Sequence, residues 1–97
     1  MGSEKRKIRG EVSGAELKLG PDMQREIRRE VENWVRLHSF ENEPSSYFHV
    51  SFRSAGHDEY ECDVEIFGSQ HHWHAEEVDR EPIVAFEKCL ESLAYGS

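Results

Sequence analysis

The segment Tyr60 to Phe67 reads Tyr-Glu-Cys-Asp-Val-Glu-Ile-Phe. A helix would scatter its acids around the circumference, whereas a strand sends Tyr60, Cys62, Val64 and Ile66 to one side and Glu61, Asp63 and Glu65 to the other. A strand this cleanly divided needs partners and one covered face. The flanking residues supply the partners. In Tyr47 to Ser54, Phe48, Val50 and Phe52 alternate with His49, Ser51 and Arg53, and Ala55-Gly56-His57-Asp58-Glu59 reads as the hairpin loop between the two strands. Gly68-Ser69 gives the next turn, and His71 to Val78 reads as a further strand with Trp73 and Ala75 on its core side. The three strands form an antiparallel meander.

The remaining apolar residues fit one more strand and two helices. Ile8, Gly10 and Val12 alternate with Lys7, Arg9 and Glu11 over Lys7 to Ser13. Pro21 and Asp22 suit the first turn of a helix, because proline lacks an N–H the helix would leave unpaired and an acid favours the positive end of the dipole. Met23, Ile27, Val31, Trp34 and Val35 follow on one helical face to about His38, and a polar loop containing Pro44 comes next. Asp79 is read as the N-cap of a last helix, with Pro82 in its first turn and Ile83, Phe86, Cys89, Leu90 and Leu93 as its apolar stripe. A helix between the first two strands favours a parallel pair joined by a right-handed crossover. The order is β-α-β-β-β-α: an α+β, two-layer sandwich with a four-stranded mixed sheet and two helices on one face. The other face would present Lys7, Arg9, His49, Ser51, Arg53, Glu61, Asp63, Glu65, His72 and His74 to water.

With 97 residues the chain suits one domain, 1–97, in which 1–6 are expected to be flexible. No apolar run is long enough to span a membrane. Basic residues near the N-terminus lack the apolar stretch of a signal peptide. A cytoplasmic location without membrane contact is expected. The two cysteines, Cys62 and Cys89, point to the core from different elements, which fits reduced buried thiols while leaving a disulfide open. A net charge of −8 opposes indiscriminate nucleic-acid binding, so what matters is where the 12 Lys and Arg residues lie.

At about 100° per residue, Arg25, Arg29 and Arg36 fall within about 40° of one another on the first helix, nearly opposite its apolar stripe, with Arg28 nearby. Such a ridge can follow a phosphate backbone, because guanidinium bonds phosphate oxygens in pairs. The competing reading is a solvated face whose arginines pair with Glu26, Glu30 and Glu32. Lys5, Arg6, Lys7 and Arg9 form a second basic group. His49, His72 and His74 alternate onto the polar sheet face and invite a metal reading, yet no cysteine or carboxylate set evidently completes four ligands, so a polar surface without metal is expected. Beside Glu65 and Glu76 the same histidines would gain charge on acidification. Serine, histidine and aspartate occur without a nucleophile-turn motif or a glycine-rich phosphate loop, so neither an enzyme nor a cofactor or small-molecule substrate is expected. Trp34 and Trp73 are read as core residues.

The stretch Val12-Ser13-Gly14-Ala15-Glu16-Leu17-Lys18-Leu19-Gly20, with Met23 opening the helix, resembles the start of the ribosome hibernation factors, the S30AE group that includes the ribosome-associated inhibitor, hibernation-promoting and sigma-54 modulation proteins. Asp79 followed by Ala85-Phe86-Glu87-Lys88-Cys89-Leu90-Glu91-Ser92-Leu93 is similar to that family's last helix. The family's element order is the one read above. The resemblance implies a non-enzymatic, cytoplasmic factor that binds the small ribosomal subunit through rRNA and inhibits translation under stress. Arg25, Arg28, Arg29, Arg36, Lys5, Arg6, Lys7, Arg9 and Lys88 are the contacts it would use. The last helix departs from the pattern in carrying Glu87 and Glu91 against Lys88 alone, and no basic run follows it. Ribosome dimerisation is therefore not expected. The alternative is a divergent interaction or regulatory module that keeps the fold and meets a basic protein partner with its acidic surfaces.

Overall fold

A computed structural model of the chain describes residues 7–14, 19–38, 45–68 and 72–96. The elements follow the order β1 (Lys7–Ser13), α1 (Pro21–His38), β2 (Ser45–Ser54), β3 (Tyr60–Gly68), β4 (His72–Asp79) and α2 (Pro82–Gly96). The sheet order is β1-β2-β3-β4, with β1 parallel to β2 and the other pairs antiparallel. The α+β sandwich expected from periodicity is the one observed. Strand β2 begins two residues earlier than the alternation suggested, and β4 is shifted by one to His72–Asp79. The proposed flexible segment 1–6 lies outside the described residues.

Register stacks the apolar face in rows. Gly10, Phe48, Ile66 and Trp73 form one, and Val12, Val50, Val64 and Ala75 the next. Against these rows α1 lays Ile27, Val31, Trp34 and Val35, and α2 lays Ala85, Phe86, Cys89 and Leu93, all buried. Trp34 meets Trp73 edge to face at 5.4 Å, joining the end of α1 to β4, an arrangement in which the positive edge of one ring meets the negative face of the other. Both cysteines are free and buried, and the Cys89 thiol donates to the Cys62 carbonyl at 3.2 Å. The neighbouring Cys89 thiol and then burial hold Cys62 far above the range in which a thiolate forms, so it serves as packing.

Two expectations are corrected. Met23 lies at the rim, 37% exposed, so the buried stripe of α1 starts one turn later at Ile27. Asp79 closes β4 instead of capping α2. The residue preceding α2 is Glu81, whose carbonyl accepts from Ala85 N–H at 3.0 Å, while the Asp79 carboxylate accepts from Glu81 N–H at 3.0 Å and so shapes the turn into the helix.

At Gly10 of β1 the neighbouring strand β2 comes very close. A Cβ there would fall inside van der Waals contact with both the Phe48 ring and the Phe48 carbonyl oxygen, so a rotamer change alone gives no relief. Gly10→Ala should gain a little from a stiffer unfolded chain and lose more to overpacking, for a net loss of about 1–3 kcal/mol. A urea denaturation midpoint unchanged or raised in the variant would show that the sheet can separate at this point.

Candidate nucleic-acid interface

The amphipathic pattern of α1 turns Arg25, Arg29 and Arg36 away from the sheet. Their side chains are 75%, 68% and 58% exposed, so the ridge exists. Each guanidinium also meets a carboxylate on its own helix: Arg25 with Asp22 at 3.2 Å, Arg29 with Glu26 at 2.6 Å and Arg36 with Glu32 at 3.9 Å. A shallow depression is lined by Asp22, Arg25, Glu26 and Arg29. Exposed pairs at this spacing contribute only about 0.3–0.5 kcal/mol each, which leaves the arginines available to a stronger anion.

The other proposed contacts are placed differently. Arg28 reaches across to β1 and donates to the Gly10 carbonyl at 2.9 Å, tying helix to strand. Lys88 on α2 donates to Asp79 at 2.9 Å. Arg9 is exposed on β1, which pairs only with β2 and so forms one edge of the sheet. Lys7 opens the same strand, and Lys5 and Arg6 lie outside the described residues.

Charge is distributed unevenly across these elements. Helix α1 carries four arginines against four acids, whereas β3 and β4 carry three acids each and neither Lys nor Arg. Between the helices, burial and then the carboxylates of Glu87 and Glu26 hold the Glu30 carboxyl above its ordinary range. Glu30 lies about 100° around α1 from Arg29, so the ridge faces away from this acidic seam.

The three histidines share the open face without converging. His49 Nε2 lies 3.4 Å from Ser13 Oγ and 3.8 Å from Glu11 Oε1, His72 Nε2 lies 3.1 Å from Glu65, and His74 Nε2 lies 3.1 and 3.2 Å from the two Asp63 oxygens. Serine and acid meet His49 at the same nitrogen, whereas a catalytic base needs them on opposite nitrogens. Sequence reasoning missed an aromatic group on this face. Phe67 stacks on His72 at 4.7 Å and lies 6.3 Å from Tyr47, with both aromatic residues about two-fifths exposed. The odd parity of Tyr47 and Phe67 relative to Phe48 and Ile66 was the available signal.

No family model matches the chain, and no curated protein sequence matches it. Solved structures do. The N-terminal domain of Protein Y from Thermus thermophilus aligns over 94% of this chain and 93% of its own, with a TM-score of 0.71 and 13% identity. This chain has the Protein Y fold. A ribosomal subunit interface protein from Coxiella burnetii aligns over 90% of each chain with a TM-score of 0.68 and 14% identity. The fold implied by the two sequence motifs is thus one found in Protein Y and in a ribosomal subunit interface protein. At such identity it is shared without the side chains, whose roles rest on the geometry above. No helix among the described residues is long and apolar enough to cross a membrane.

The Asp79 contacts have a pH signature. The Glu81 N–H and then the Lys88 ammonium hold its carboxyl below the ordinary carboxylate range. The depressed value makes this stabilisation fully present above the unfolded-state pKa and lost as pH falls through the folded one. Asp79→Asn should therefore melt below the parent at about pH 7, with the gap closing towards about pH 3. Melting curves separated equally at both pH values would assign the effect to shape instead of charge.

Proposed function

We propose that the protein is a ribosome-associated factor that docks on the small ribosomal subunit through rRNA phosphates and inhibits translation under stress. The observation carrying this reading is the exposed Arg25, Arg29 and Arg36 file on a fold shared with a ribosomal subunit interface protein. Phosphate is a stronger partner for guanidinium than a solvated carboxylate at helical spacing, because it accepts forked hydrogen bonds and its binding releases condensed counterions. Arg9 lies apart from the ridge, on the open face of the sheet, and the acidic β3–β4 half of that face opposes approach from its own side. The uneven charge thereby orients the protein as well as attracting it. The factor acts by occupying its site in the cytoplasm, without catalysis.

Cosedimentation with purified small subunits tests the ridge. Three phosphate contacts give a salt slope of roughly 2–3, so a fourfold rise in salt should weaken their share of binding roughly twenty- to fortyfold. Reversing Arg25, Arg29 and Arg36 to Glu should abolish binding at moderate salt while far-UV dichroism stays unchanged. Undiminished sedimentation of a folded triple variant would refute the ridge. A parent protein that fails to sediment at any salt would favour the second reading, a basic protein partner on the acidic β3–β4 surface.

A further inference from the structure

We propose that Asp63, His74 and Glu76 form a binding site for a divalent transition-metal ion of the zinc class on the open face of the sheet. The antiparallel register sets Asp63 of β3 directly opposite Glu76 of β4, and His74, two residues before Glu76, shares their face. One donor atom from each residue lies within 4.8 Å of the other two. His74 Nε2 is 3.1 Å from Asp63 Oδ2 and 4.0 Å from Glu76 Oε2. Tetrahedral coordination with bonds of about 2.0–2.2 Å requires donor separations of about 3.3–3.6 Å. The observed distances straddle that range, so small side-chain rotations complete a tripod.

The two carboxylates of the site face each other across the ladder. Like charges directly opposite on neighbouring strands are destabilising. Neither β3 nor β4 carries a Lys or Arg, and Arg53, on the adjoining strand, bonds Glu61 while also acting at longer range on Asp63 and Glu76. A divalent ion resolves the repulsion more completely than His74 alone, whose single charge depends on protonation. Two carboxylates without an imidazole would suit magnesium or calcium, and the histidine nitrogen shifts the preference to zinc, cobalt or nickel. The three donors occupy one side of the ion, leaving the position towards solvent for water. Bound there, the ion clamps the edge strand β4 to β3.

Isothermal titration with zinc chloride in a non-chelating buffer tests the site, with cobalt absorption as a geometric probe. The expected result is one saturable zinc ion per chain, undisturbed by millimolar magnesium. His74→Ala and Asp63→Asn should each weaken it on the order of tenfold or more. His72→Ala and His49→Ala should leave it unchanged, and zinc should raise the melting temperature of the parent but not of His74→Ala. All four positions lie on the solvent side of the sheet, and melting curves without metal establish that each variant folds. Absence of saturable binding at millimolar zinc, or an equal loss in His72→Ala and His74→Ala, would overturn the site.

Discussion

The ring of Phe48 lies over the bare backbone of Gly10, and much of the molecule is placed by that contact. It fixes the parallel register of β1 on β2, since sliding the strand by one residue would exchange Ile8, Gly10 and Val12 for Lys7, Arg9 and Glu11 on the core face. Without a side chain at residue 10, the Gly10 carbonyl is also left accessible to Arg28 of α1, which bonds it from above. Strand, crossover helix and neighbouring strand are thereby tied within one row. The presentation of Arg25, Arg29 and Arg36 follows from how α1 is seated there, because the direction of a helical side chain is set by the rotation of its helix.

From this row outward the sheet separates two kinds of chemistry. Its covered face is mainly apolar, with Glu77 at the β4 end bonded to Ser92 of α2. Its open face changes along the sheet, from Arg9 on one edge to the carboxylates and histidines of β3 and β4 on the other. An acidic protein can approach an anionic partner when its charge is divided in this way, since at the ionic strength of a cell an acid one sheet-width away is heavily screened while an adjacent guanidinium is not. The carboxylates beside the arginines of α1 are close enough to matter, but they are solvated and bound by single flexible contacts. Phosphate displaces such partners at little cost, and the same pairs keep the ridge ordered when no phosphate is present.

Much of this was legible in the sequence because period two and period 3.6 each assign a residue to one side of an element. The alternation of β3 and the Ile27, Val31, Trp34 and Val35 stripe established the layers and identified the exposed arginines. Other features depended on relations between elements. Asp79 has the chemistry of an N-cap, and only the geometry of the β4–α2 turn shows that its carboxylate serves Glu81 and Lys88 instead. The pairing of Arg28 with a strand carbonyl depends on the height of α1 above the sheet. Lys5 and Arg6, of the second basic group, lie outside the described residues.

The histidines show most clearly where local pattern stops being informative. Parity placed His49, His72 and His74 on one face and suggested that they might be partners, but a shared face spans four strands, whereas a shared metal spans one coordination sphere. Register decides between the two. It gives each histidine its own carboxylate and brings a second carboxylate only to His74, because Asp63 and Glu76 meet across the β3–β4 ladder. To the imidazole of His74 the fold adds Glu76, two residues along the same strand, and Asp63, eleven residues back in the chain on β3. The proximity of Asp63 and Glu76 is a property of the β3–β4 register, in which a slip of one residue would pair each with another neighbour.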